Sequence, residues 1–207
     1  MPATVMKLYD APASGNAYKI RLFLSLLGVE HKLVPVNLRA GESRTEAFLS
    51  RNPRGQIPVL EDGEIIVWDS QAILVYLARR YGGDDWLPLD PAPMAEVMQW
   101  MAVAENELLF GLARARAVKL FGRSWDLPEC QRYGKAGLDV MEQHLAKRQW
   151  LAAGRPTVAD VACFPYVALA PEGEIPLDGY HNVLGWIGRV QNLPGYTGMK
   201  GVHGGQT

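Results

Sequence analysis

A proline stands at position 58, at the head of a run that otherwise reads as a β-strand: QIPVLED, residues 56–62. Proline has no N–H to give a sheet, so it is confined to edges, bulges or the first residue of a strand. Ile57, Val59 and Leu60 favour a strand, which therefore opens at Pro58. A cis Ile57–Pro58 bond would turn the chain sharply there, and it costs little compared with other cis bonds. The N–H and C=O of Ile57 would then face a cleft, free to pair main chain to main chain with a short extended peptide. Asp69 and Ser70 follow at the start of a helix. Free N–H groups and the positive end of the helix dipole there attract a carboxylate, and Asp69 can accept bonds from an ammonium group. The expected ligand is a small peptide with an amino-acid head group. Each residue also has a plainer reading: Asp69 and Ser70 as a helix cap, Pro58 as a strand opener.

The chain around this run alternates between short strands and helices up to about residue 85. VMKLYD (5–10) reads as a strand, and NAYKIRLFLSLL as a helix with Ile20, Leu24 and Leu27 on one face. Gly28 closes that helix. HKLVPVNL reads as a second strand, followed by a short helix around Glu46–Ser50. IPVLED, the turn Asp62–Gly63 and EIIVW form a hairpin. The next helix carries Ile73, Tyr76 and Leu77. The order β-α-β-(α)-β-β-α is that of an α/β layer.

GGDDWLPLDPAP then reads as a linker, and no convincing strand follows it. Asp90-Pro91 starts a helix whose pattern, Met94, Met98, Met101, Glu105 and Leu108, runs towards Leu120. Leu138, Met141 and Leu145 mark another. TVADVACFPYVAL is apolar almost all round and reads as a buried helix, with Thr157 and Asp160 as its capping box. Pro165 is expected to kink or end it. NVLGWIGRVQNL is a last helix, closed by Pro194-Gly195, and the tail KGVHGGQT reads as mobile. The expected domains are residues 1–84, α/β, and 85–207, all-α.

A formal net charge of −1, with 21% charged and 48% hydrophobic residues, gives no reason to expect nucleic acid or an anionic membrane as partner. No apolar run approaches a membrane span, and MPATVMKLYDAP lacks the apolar core of a signal peptide. Cys130 and Cys163 form neither a C-x-x-C pair nor a metal cluster, so no metal is expected. The plain reading is a protein of the reducing cytoplasm.

With these motifs in view, the chain resembles the glutathione S-transferases. LYDAPASGNAYKIRLFLSLLG, NPRGQIPVLEDG and WDSQAILVYLARRY look like their thioredoxin-like domain, and TVADVACFPYVAL like their helical second domain. The resemblance covers nearly the whole chain. It implies a fold of a thioredoxin-like α/β N-terminal domain followed by an all-α domain, acting as a cytosolic homodimer. It implies glutathione as co-substrate, with Ile57 pairing with its cysteinyl backbone, Gln56 adding a polar contact, and Asp69 and Ser70 holding its γ-glutamyl end. The reaction implied is attack of glutathione thiolate on a small hydrophobic electrophile, in detoxification. Glutathione-dependent disulfide or peroxide reduction, and non-catalytic binding, are the alternatives.

Relatives activate the thiol with a Tyr, Ser or Cys just after the first strand. Ser14, in PASGNAY, matches the serine of the theta-like and delta-like pattern, although it also reads as a helix cap. Tyr9 is the rival activator, and Asn16 a second donor or the cap itself. Where theta-like relatives place a histidine near the glycine carboxylate this chain has Ser43, with Arg44 and Arg39 nearby as substitutes. Met101, Phe110 and Tyr166 are candidates to line the electrophile site. By resemblance, Glu105 and Glu107 could reach a neighbouring subunit's glutathione. His31 reads as a surface residue; His144 and His203 carry no signal.

Overall fold

The computed structural model describes residues 5–202, so residues 203–207 of the tail, His203 included, lie outside it. Strand β1 (Met6–Asp10) leads into helix α1 (Gly15–Leu26), then strand β2 (His31–Pro35) and a short helix α2 (Glu46–Leu49). Strands β3 (Val59–Asp62) and β4 (Ile65–Trp68) form the hairpin, and helix α3 (Ser70–Leu77) follows. The sheet order is β2-β1-β3-β4, with β1 parallel to β2 and antiparallel to β3. Asp62 pairs with Ile65, so the hairpin loop is Gly63-Glu64, one residue later than the sequence implies. Gly63 takes φ 62°, a conformation that glycine adopts at no steric cost.

Alternation along β1 sorts its side chains. Met6 and Leu8 enter the main core, whereas Tyr9 packs on the opposite face against a small cluster of Val36, Phe48 and Val59. Helices α1 and α3 cover the first face with Ile20, Phe23, Leu24, Ile73 and Leu77. The expected linker is partly helical: a wide turn over Ala78–Gly82 runs into helix α4 (Gly83–Trp86), and Trp86 packs edge-on to Phe23.

The second half is helical. Helix α5 (Pro91–Val103) continues through a π-helical segment, Ala104–Ala113, into α6 (Arg114–Phe121), making one rod. Its buried stripe is Val97, Trp100, Met101, Ala104 and Leu108, while Met98 is 50% exposed. The expected stripe thus meets the buried one at Met101 and Leu108 and is one residue late at Met98 and Glu105, since both stripes satisfy a 3.6-residue period. Helix α7 (Leu127–Leu145) buries Leu138, Met141 and Leu145. Helix α8 (Val158–Ala168) is buried along its whole length. Pro165 neither ends nor breaks α8, which runs three residues further; full burial offsets the roughly 3 kcal/mol that an interior proline costs. Helix α9 (His181–Gln191) completes the bundle. One continuous core joins both halves, with Tyr18 of α1 against Phe164 of α8. Its hydroxyl donates to the Thr197 carbonyl at 2.8 Å.

Candidate functional site

The cleft between sheet and rod is a cavity of about 710 Å³. Its sheet side carries Ser14, Asn16, Arg44, Gln56, Ile57, Pro58, Asp69 and Ser70, eight of the nine expected site residues. The ninth, Tyr9, is not among its walls. Its hydroxyl donates to Glu61 Oε1 at 3.0 Å and its ring packs on Phe48, on the other face of β1. Burial and Glu61 push the Tyr9 phenol up, which further unfits it to stabilise a thiolate.

The loop that presents Ser14 is tied down from three sides. Its own N–H bonds the Ala11 carbonyl at 2.9 Å. Arg21, paired with buried Asp10, donates to the Pro12 carbonyl at 3.2 Å, and Arg116 donates to the Ala13 carbonyl at 2.8 Å. Ser14 is the N-cap of α1, accepting from the Ala17 N–H at 3.2 Å. Cap and candidate activator coincide here. A hydroxyl that accepts from the helix keeps its own O–H to donate into the cavity. Gly15 is required at the next position, since a Cβ there would lie 2.5 Å from Tyr166 Cε1. Asn16 Oδ1 is buried with no hydrogen-bond donor among the described residues.

The Ile57–Pro58 bond is cis, and no backbone hydrogen bond engages Ile57 among the described residues. Asn52 fixes the approach by donating to the Gln56 carbonyl at 2.7 Å. At the far end Asp69 caps α3 from φ 78°, a backbone conformation that non-glycine residues rarely adopt and that Ala153 and Glu174 also take, away from the cleft. One carboxylate oxygen accepts from the Gln71 N–H and the other from Arg54, both at 2.9 Å. A carboxylate has about four acceptor positions, so Asp69 retains capacity for a ligand ammonium. Ser70 is buried in the first turn of α3.

Lys19 and Gln71, behind the cleft wall, escaped the sequence reading. Lys19 is fully buried beneath the site, its Nζ 3.5 Å from Ser70 Oγ and 3.4 Å from Glu105 Oε1. Burial pushes its pKa down, while the Glu105 carboxylate beside it opposes that shift. A signal existed: Lys19 shares the buried face of α1 with Gly15 and Phe23, four residues either side. Glu105 also accepts from Gln71 Nε2 at 2.7 Å and lines the cavity of its own chain. Gln71 Oε1 is another buried acceptor with no donor among the described residues. Glu107 instead lines a smaller neighbouring cavity.

On the helical side the cavity meets Leu109, Phe110, Arg114, Arg123, Trp125 and Tyr166. Met101, a candidate lining residue, belongs to the core. Ser43 and Arg44 line the cleft, whereas Arg39 does not. Both cysteines are buried with their thiols pushed up by burial, so neither supplies a ready thiolate. His144 is packed against Trp100 in the core, and His31 is half-buried, bonded to the Val29 carbonyl.

A thioredoxin-like sheet with a free backbone edge beside a helix N-terminus, walled by helices, defines a two-domain protein with its cleft between the two. Comparison with known proteins makes the class specific. Residues 4–79 match the family model of the glutathione S-transferase N-terminal domain, and residues 113–189 that of the C-terminal domain. Glutathione S-transferase 1 of Manduca sexta is 32% identical over 198 residues, which cover 93% of this chain and 90% of that protein. The crystal structure of a glutathione S-transferase from Pseudomonas fluorescens superposes with a TM-score of 0.89 at 34% identity, covering 95% of this chain and 100% of that one. A glutathione transferase homolog from Drosophila mojavensis, solved with bound glutathione, gives 0.82 at 26% identity, with 92% and 89% covered. The chain belongs to the glutathione S-transferase family, and the enzyme it makes is a glutathione S-transferase.

Proposed function

We propose that glutathione lies along the Ile57 edge with its γ-glutamyl end at Asp69 and Ser70, and that Ser14 donates a hydrogen bond to its sulfur. The thiolate then attacks an electrophilic carbon held against the helical side of the cleft. Residues 1–84 form the glutathione domain in this reading, and 85–207 the acceptor domain. Gln56 adds a polar contact, and Arg44 takes the glycine carboxylate. Glu105 and the unpartnered Gln71 Oε1 are acceptors for the ligand ammonium, with buried Lys19 holding Glu105 in place. Asn16 is the second donor to the sulfur, through its amide nitrogen, its buried Oδ1 having no partner among the described residues. Rate enhancement comes from positioning and thiolate stabilisation rather than from a covalent enzyme intermediate. Leu109, Phe110 and Trp125 offer the electrophile an apolar seat.

The working form in this reading is a cytoplasmic homodimer that detoxifies such electrophiles. Exposed Ile65, Ile66, Trp68 and Met98 support a self-association surface, which sedimentation would report. No helix among the described residues is long and apolar enough to cross a membrane.

The observation that carries the proposal is Ser14: a cavity-wall hydroxyl already fixed as acceptor by the Ala17 N–H, with its proton free. A free thiol titrates near ~8.5, so little is ionised at neutral pH. A charge-assisted bond of about 1.5–3 kcal/mol lowers that by roughly one to two units. Ser14→Ala is expected to leave glutathione affinity nearly intact, raise the pKa of the bound thiol and cut turnover at neutral pH, with partial recovery at higher pH. Thiolate absorbance followed against pH in both proteins is the test. Superimposable curves would remove Ser14 from the mechanism.

A further inference from the structure

The helical side of the cleft is not uniformly apolar. It brings in two guanidinium groups, Arg114 from the start of α6 and Arg123 from the loop beyond it. The two cavity acids are already engaged: Asp69 with Arg54 at 2.9 Å, and Glu105 with Lys19 at 3.4 Å. Neither Arg114 nor Arg123 has a carboxylate within ion-pair distance among the described residues. Nor is Arg114 a loosely solvated side chain. It is half-buried, with its guanidinium carbon 3.9 Å from the centre of the Phe110 ring and 5.0 Å from that of Trp125. Contact with two rings restrains the side chain and lowers the entropy lost when its fork grips a planar anion. Arg114 also borders the smaller neighbouring cavity, whose walls carry the acids Glu107, Asp126 and Glu129, none of which makes an ion pair with it.

We propose that the second substrate is a carboxylate-bearing electrophile with an aromatic or alkyl body, its charge read by Arg114 and Arg123 and its body seated on Phe110 and Trp125. This rests on the transferase reading above and narrows it from apolar electrophiles in general to anionic ones. The rival use for the two arginines is the glycine carboxylate of glutathione. Arg44 already stands for that role, beside Gly55 on the strand edge where the tripeptide would lie.

A matched acceptor pair tests the proposal: 4-chloro-3-nitrobenzoate and its methyl ester. In both, the glutathione sulfur bonds to the chlorine-bearing carbon, chloride leaves with the bonding pair, and the thiol proton passes to solvent. Each kcat/KM is divided by the uncatalysed rate with glutathione, which removes the difference in intrinsic reactivity. The wild type is expected to favour the carboxylate. In Arg114→Gln, and in Arg123→Gln at an exposed position where folding is not at stake, the carboxylate-to-ester ratio should fall about tenfold or more. Arg114→Lys should recover part of it, since it keeps the charge but not the fork. An unmoved ratio overturns the proposal. A loss seen instead in KM for glutathione, alike with both acceptors, also overturns it and assigns the arginines to the tripeptide. Should the wild type conjugate neither acceptor, the test passes from turnover to binding. Calorimetric titration with 3-nitrobenzoate then decides the anion site by itself: about tenfold weaker binding in Arg114→Gln supports it, and equal binding overturns it.

Discussion

At the scale of single residues, the cleft assigns two jobs to one side chain. Ser14 caps α1 and faces the cavity; Ser70 opens α3 and faces the cavity, with Lys19 Nζ 3.5 Å from its oxygen. Neither pairing of roles is separable by sequence, because a cap serine and a ligand-binding serine occupy the same place at a helix start. Substitution separates them. If Ser70 and the N-terminus of α3 hold the γ-glutamyl carboxylate, Ser70→Ala should weaken glutathione binding by about 1.5–3 kcal/mol, the usual scale for a hydrogen bond to a charged group. The denaturation midpoint should fall only modestly, because the side-chain cap of α3 is Asp69 and Lys19, on losing Ser70, keeps Glu105. Calorimetry reads the first quantity and a urea melt the second. Unchanged affinity would return Ser70 to a purely structural role.

At the scale of elements, α8 shows what patterning reveals and what it hides. Its capping box is present: the Thr157 N–H bonds Asp160 Oδ2 at 2.9 Å, and the Ala159 N–H bonds Thr157 Oγ1 at 3.3 Å. The same carboxylate also accepts from the Leu151 N–H at 3.1 Å and from Trp186 Nε1 at 2.8 Å, tying α8 to α9 and to the turn before it. Those two bonds bridge 9 and 26 residues of sequence, beyond the reach of any local motif. Strands, caps and the β-α-β order were legible because they depend on residues close in the chain. The stripe of α5, the π-helical segment and the Arg114 stack were not, since each is decided by packing partners far away. Burial pushes the Asp160 pKa from 3.8 up to about 6. The folded state therefore holds that proton more tightly than the unfolded chain, and stability falls as pH rises from about 4 to about 6. At about 1.36 kcal/mol per unit, the loss is about 3 kcal/mol. Asp160→Asn should flatten this dependence, and denaturant midpoints at pH 4 and pH 7 in both proteins measure it. Parallel profiles would mean that Asp160 does not titrate in that window.

At the scale of the whole molecule, one core runs from Met6 to Val202 through both halves, so the stability of each half depends on the other. Arg116 is the polar counterpart of that continuity. It is 4% exposed, pairs with Glu172 and reaches across to the Ala13 carbonyl, one residue before Ser14. Arg116→Ala should cost about 2–3 kcal/mol, the scale of losing charge-assisted bonds. It should lower kcat more than it raises KM for glutathione, because the loop presenting Ser14 loses one of its ties. Thermal melts and steady-state kinetics report the two effects, and a stable variant with wild-type kcat would refute the coupling. The rod itself is seated on α7 through bare backbone. A Cβ at Gly111 would meet Gly134 N at 2.1 Å, and one at Gly134 would meet Leu112 Cδ2 at 2.5 Å. Neither glycine lines the cleft, yet Leu109 and Phe110, which directly precede Gly111 on the rod, do. The gauge of the cleft is thus set from behind, and a methyl group slipped into this seam acts as a shim that drives the wall forward. Gly134→Ala, whose methyl would meet the Leu112 side chain at 2.5 Å and the Leu112 backbone nitrogen at 3.2 Å, should press on the rod itself as well as on that side chain, narrow the opening and shift preference towards slimmer acceptors, as a series of para-alkylated substrates would register. Substrate size is then adjustable at a position no substrate ever touches.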